Sequence, residues 1–181
     1  MEDKEIHFNA IKNNIKGLKD NLKNSFDIDT LGEYACTPLH YACREGHFEM
    51  VDFLIKNGAN VNSKNHYSTI YPIFDAITST NNKKDYLSII QLLIDNGADI
   101  NRVDSFGNTL FYHAIEQEDI ILIELLIQLG CDINHCSRND KDTALHYAYF
   151  QKNRRIISIL IENGADRKKL NIYNKTAESY I

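Results

Sequence analysis

Cys131, His135 and Cys136 fall within six residues of one another, and thiolates with an imidazole are the donor types that hold zinc. A closed tetrahedral site needs four such donors. This cluster offers three, and no Cys-x-x-Cys pair accompanies it. Cys131 and Cys43 each stand where related segments of the chain carry alanine, so they read as small packing residues. Four cysteines in 181 residues do not form a disulfide framework, which points to reduced thiols and a cytoplasmic setting. Among the histidines of the repeating part, His40, His47, His113 and His146 are candidates to move protons. His40 and His146 recur at one repeat position, and His47 lies in a turn. A structural role explains all three, while His113 falls at a variable position that could be exposed. Glu116, Glu118 and Asp119 would supply paired carboxylates for acid–base chemistry, but they sit in a polar turn with nothing to enclose a substrate. Phosphate-loop, dinucleotide, zinc-protease and serine-elbow patterns are all missing from the sequence. The expectation is therefore a non-enzymatic chain with no cofactor and no small-molecule substrate.

Twenty Lys and Arg stand against twenty-five Asp and Glu, a net charge of −5. That balance disfavours a general nucleic-acid coat. The charge is nevertheless uneven. Residues 85–132 carry nine acids and a single base, Arg102, whereas 152–169 carries six bases, including Arg154, Arg155 and Lys169. An acidic centre favours a protein partner with a basic patch. The basic end keeps a nucleic-acid-binding accessory role as a competing reading, beside the zinc reading of Cys131, His135 and Cys136. No apolar run approaches the 18 residues that a membrane span needs. Glu2, Asp3, Lys4 and Glu5 open the chain without the basic-then-apolar order of a secretory signal.

The elements that position these side chains follow from an internal repeat. N-G-A-N-V-N at 57–62 recurs as N-G-A-D-I-N at 96–101, L-G-C-D-I-N at 129–134 and N-G-A-D-R at 163–167. In phase with it run T-P-L-H-Y-A from Thr37, Y-P-I-F-D-A from Tyr71, T-L-F-Y-H-A from Thr109 and T-A-L-H-Y-A from Thr143. Two independent markers that keep one register of 33 to 39 residues over four copies define a repeat array. Each copy reads as two antiparallel helices and a turn. Thr37 caps the first helix and Pro38 occupies its first position. Val51, Leu54 and Ile55 form the apolar stripe of the second, repeated as Ile90/Leu93/Ile94, Ile123/Leu126/Ile127 and Ile157/Leu160/Ile161. Gly58, in the left-handed conformation, ends that helix. One copy cannot bury its stripe alone, so copies must stack. Phe74 and Tyr112, which replace the recurring histidine in two copies, read as core variation.

The T-P-L-H-x-A and N-G-A-[DN]-[VI]-N signatures resemble those of the ankyrin repeat family over roughly residues 5–180. The resemblance implies an all-α ankyrin repeat solenoid of stacked helix-turn-helix units with β-hairpin-like loops. Residues 1–181 would form one domain: a divergent N-terminal cap at 5–29, repeats at 30–63, 64–101, 102–134 and 135–168, and a truncated C-terminal cap at 169–181. About five extra polar residues lie near 78–86, between the two helices of the second of these. The family binds protein partners through a concave face and loop tips. Carried onto this chain, the tips offer Glu33 and Tyr34, Tyr67 and Ser68, Ser105, Phe106 and Asn108, and Asn139 and Asp140. The ends of the first helices offer Arg44 and Glu45, Thr78 and Ser79, Glu116 and Gln117, and Phe150 and Gln151. Tyr34, Tyr67 and Phe106 put an aromatic on three successive tips, the side chains that most often anchor interfaces. Blocking or recruiting a protein partner is the expected activity. An immunity-type inhibitor and a host-directed effector working in host cytosol are the two settings.

Overall fold

The structure, a computed structural model, describes residues 4–65, 70–77 and 85–180. Among them there are α-helices and short 3₁₀ turns but no strand. The fold is of the all-α ankyrin repeat class. The chain gathers into two compact units, Met1–Asp99 and Ile100–Ile181.

In the first unit α1 (Glu5–Ile11) and α2 (Ile15–Lys23) form a helix pair, followed by a 3₁₀ turn at Glu33–Ala35. Then come α3 (Pro38–Glu45) with α4 (Phe48–Lys56) and α5 (Pro72–Ile77) with α6 (Tyr86–Asp95). The first helices α1, α3 and α5 pack side by side, and α4 packs on α6 behind them. Leu39, Ala42 and Cys43 of α3 are wholly buried, as are Met50, Val51 and Leu54 of α4. The second unit repeats this plan with α7 (Leu110–Glu116), α8 (Ile120–Gln128), α9 (Ala144–Phe150) and α10 (Arg154–Glu162). A closing 3₁₀ turn, Ala177–Tyr180, packs on α9.

The apolar stripe of the second helices is set one residue earlier than its spacing suggests. Met50, Ile89, Leu122 and Ile156 are fully buried, while Ile55, Ile94, Ile127 and Ile161 are only half-buried. The buried face is centred on the side toward the first helix, so the last apolar residue of each stripe sits at its margin.

Three histidines hold successive copies together in the same way. The Thr37 amide donates to His40 Nδ1 at 3.1 Å, which leaves Nε2 to donate to the Ile70 carbonyl at 3.3 Å. His146 links the Thr143 amide, 3.2 Å, to the Lys175 carbonyl, 3.1 Å. His7 does the same between the Lys4 amide and the Thr30 carbonyl, both at 2.9 Å. The ring is thus neutral and spans from the cap of its own helix to the next loop. Burial pushes His40 down to about 4.

The last residue of the G-A-D-I-N segment is a second staple. Asn62 accepts from the Asp99 amide at 3.1 Å and donates to the Gly97 carbonyl at 2.8 Å. Asn134 accepts from Asp166 at 2.8 Å and donates to Gly164 at 3.1 Å. Asn101 accepts from the Asp132 amide at 2.8 Å. The glycine φ of +88° to +90° at Gly97 and Gly164 turns the carbonyl toward the preceding loop, a conformation that favours glycine.

The loops are hairpin-like to the extent of one backbone pair. Gly32 donates to Cys36, Asn65 to Ile70, Asp104 to Asn108, Ser137 to Asp142 and Asn171 to Lys175, at 2.9–3.1 Å. A side-chain acceptor at the base of four loops shapes the tip: Asn65, Asp104, Ser137 and Asn171 each accept backbone amides from the far side.

Candidate functional site

The positions singled out on loop tips and helix ends divide three ways. Tyr67, Ser68, Thr78 and Ser79, with most of the 78–86 insertion, lie outside the described residues. In the first unit Tyr34 is 61% exposed beside exposed Glu33, with φ of +55°, which aims its ring outward. Arg44 is turned inward instead. Its Nε and Nη2 donate to one oxygen of Asp75 at 2.9 and 2.7 Å, and Glu45 beside it is half-buried. Asp75 is almost fully buried, and desolvation pushes its carboxyl up to about 6 although Arg44 pulls it down.

In the second unit the remaining positions converge. Phe106 and Asn108 from one tip, Asn139 and Asp140 from the next, and Glu116 and Phe150 from the helix ends all line a single cleft of about 570 Å³. Ser105 and Gln117 are exposed outside it, and half-buried Gln151 does not line it either. The cleft has further walls that the sequence did not single out as site residues. Tyr112 and Tyr147 stack with ring centroids 4.2 Å apart, and Phe150 lies nearly parallel to Tyr147 at 6.3 Å. Tyr180 meets Phe150 edge-on at 6.2 Å. Tyr112 is therefore a half-buried cleft residue and not core variation, whereas Phe74 is buried as expected of a core position.

Asp104 fixes one wall. Its Oδ1 accepts the amides of Phe106 and Asn108, 2.8 and 2.9 Å, and its Oδ2 meets His113 Nε2 at 2.9 Å. Glu116 lies 3.7 Å from the other nitrogen of that ring. On the opposite wall Asp142 accepts from Asn171 at 2.8 Å, and Asp140 from the Tyr173 hydroxyl at 3.3 Å. Burial first, then the bond to Tyr147 and the charges of Glu116 and Asp142, push the Tyr112 phenol upward; Asp140 does the same to Tyr173. Gly107 keeps the two tips close. Its φ is +82°, and a Cβ there would stand 2.5 Å from that of Arg138 in the neighbouring loop. The base of each tip could have been found in the sequence, because Asn65, Asp104, Ser137 and Asn171 keep the register of the glycines.

The zinc candidates do not come together. Cys131 points its thiol at the Ile100 carbonyl, 3.8 Å away, and Cys136 at that of Asn134, 3.9 Å. His135 Nε2 bonds the Gly107 carbonyl at 3.1 Å. Among the described residues no three His, Cys, Asp or Glu side chains converge as a metal ion requires. Of the basic end, Arg167 pairs with Glu178 and Lys169 donates to the Asn134 carbonyl at 2.7 Å.

Family models decide the affiliation. The model of ankyrin repeats in three copies matches residues 73–171, and that of the single ankyrin repeat matches 35–66. The chain belongs to the ankyrin repeat family. Such repeats are protein–protein interaction modules, typically without catalysis of their own. Among relatives, alpha-latrotoxin-Lg1a of Latrodectus geometricus is 37% identical over 186 residues, covering 83% of this chain and 13% of the toxin. Palmitoyltransferase AKR1 of Lachancea kluyveri is 27% identical over 177 residues, covering 96% of this chain and 22% of the transferase. This ankyrin repeat chain thus spans a minor part of those proteins. It also superposes, with a TM-score of 0.82 and 26% identity, on a chain from the solved structure of the Bd0816 predatory endopeptidase from Bdellovibrio bacteriovorus in complex with immunity protein Bd3460. That match covers 99% of this chain and 91% of the other. No helix among the described residues is long and apolar enough to cross a membrane.

Proposed function

We propose that this ankyrin repeat chain binds one protein partner and blocks it, as an immunity-type inhibitor does, with no catalytic step of its own. The observation that carries the reading is the cleft of the second unit. Phe106, Phe150 and Tyr173 are each 61–64% exposed there and line one concavity. Large exposed aromatics gathered in one concavity are costly to a lone protein and useful to an interface. Tyr34, beside Glu33, is the exposed aromatic that the first unit contributes to partner binding. Likeness to a chain from an endopeptidase–immunity complex, over nearly the whole of both chains, supports blocking over recruiting. The working compartment is the cytoplasm.

The test is affinity capture with the tagged chain from a lysate of the organism that encodes it, followed by titration of whatever is retained. The reading expects one protein held at one-to-one stoichiometry whose enzymatic activity falls as the chain is added. A captured protein whose activity is untouched would replace blocking with recruitment. Retention of nucleic acid alone would overturn the protein-binding reading.

A further inference from the structure

We propose that the cleft of the second unit takes an arginine side chain carried on an extended segment of the bound protein. The inference rests on the protein-binding reading and adds the chemistry of the guest.

Charge comes first. Four carboxylates line the cleft, those of Asp104, Glu116, Asp140 and Asp142, and no lysine or arginine is among the described residues that line it. Asp104 is committed on both oxygens. The other three retain capacity. Glu116 is 54% exposed and only 3.7 Å from His113, Asp140 holds a single long bond to Tyr173, and Asp142 uses one oxygen on Asn171. A carboxylate has about four lone-pair positions, so each can still accept from a cation. The charge of Asp140 leads the upward push on the Tyr173 phenol, whereas at Tyr112 burial leads and the charges of Glu116 and Asp142 only add to it.

Shape comes second. Tyr112 stacks on Tyr147 with 29° between the ring planes, Phe150 continues the row at 17° to Tyr147, and Tyr180 is set across the end. Lys175, the chain's own cation at this end, already rests over Tyr180 with Nζ 5.7 Å from the ring centre. A flat guanidinium stacks on such faces and also forks onto carboxylates in its plane. A lysine ammonium, a compact and strongly hydrated charge, does the second less well. The cleft, at about 570 Å³, has room for the side chain together with neighbouring backbone. An apolar side chain would cover the rings and strip water from the acids without replacing it, which disfavours a purely hydrophobic guest.

The probe is the peptide acetyl-Gly-Gly-Arg-Gly-Gly-amide, titrated into the full chain and followed by amide chemical shifts. Citrulline- and lysine-centred peptides serve as comparisons. Saturable shifts confined to the two tips and to α7 and α9 are expected, with the citrulline peptide, matched in shape but uncharged, at least about tenfold weaker. The variant E116Q/D140N changes two side chains at the edge of the cleft and should lose at least about tenfold in affinity at unchanged helicity. F150A, at a 64% exposed position, should weaken binding through the ring face. Equal affinity for arginine and citrulline, unaltered binding by E116Q/D140N, or no saturation at about 10 mM peptide would each overturn the inference. If the chain still captures and blocks a protein while the peptide fails, the guest is wrong and the protein-binding reading stands. Peptide binding without any captured protein would leave the cleft chemistry in place and remove the wider function.

Discussion

His40 joins two copies of the repeat: its Nδ1 accepts the Thr37 amide at the start of its own helix, and its Nε2 donates to Ile70, 30 residues further on. The bond works only with a neutral ring, because a protonated Nδ1 would meet an N–H donor. Folded His40 titrates at about 4 against an ordinary 6.5, so its contribution is complete above pH 6.5 and is lost as pH falls toward 4. Integrated over that window the loss is about 3 kcal/mol. Urea unfolding of wild type and H40Q from pH 7 to pH 4 checks it. The wild type should lose stability relative to H40Q by an amount of that order, and parallel curves would count against it.

Asp75 tilts the other way. Its folded carboxyl, at about 6, lies above the ordinary 3.8, so the buried group favours the protonated form. Its stabilising share is present below pH 3.8 and is lost as pH rises through 6. D75N removes this dependence. The difference in unfolding free energy between wild type and D75N should therefore move in favour of wild type as the medium is acidified from pH 7 to pH 4. A difference that stays flat would mean that Arg44 fully offsets the burial.

Asn134 holds two backbone groups of the next copy, the Gly164 carbonyl and the Asp166 amide. Its exposure keeps the cost of losing them modest, and N134A should lower stability by about 1 to 2 kcal/mol. N134D keeps the acceptor and loses the donor, so it should fall between. Thermal melts of the three proteins at one pH give the order directly.

Tyr34 and Phe106 are 61% and 63% exposed, and their truncation removes little buried area. The double variant Y34A/F106A should melt within about 1 kcal/mol of wild type. Its affinity for the captured partner should drop by about tenfold or more, as expected of aromatic anchors. A large fall in melting temperature with undiminished affinity would make both rings packing residues.

Much of this arrangement is legible in the sequence because the repeat writes the same physics several times. Gly97 and Gly164 recur where the chain must turn left-handed, and His40 and His146 recur where a cap must reach the next loop. His7 is not marked by the repeat because Lys4 takes the threonine's place in its divergent cap. Periodicity is silent on what one slot does when its occupant changes. Tyr112 stands in the histidine slot, and its stacking on Tyr147 follows only once neighbouring copies lie side by side. Asp75 replaces the tyrosine of Tyr41 and Tyr147, and an acid in a buried slot calls for a base, which Arg44 supplies. That substitution is readable in the sequence, whereas the family resemblance places Arg44 in the partner-facing set by position alone.

Four of the loops hang from one acceptor at the base: Asn65, Asp104, Ser137 or Asn171. Residues beyond that anchor also carry contacts to the next loop, as Asp140 does to Ile172 and Tyr173, so a tip is a cassette that can be exchanged only if it keeps those contacts. Grafting a different tip above Ser137 would redirect which surface the molecule grips and spare the framework where the new segment still offers a carbonyl to the Ile172 amide and an acceptor to Asn171.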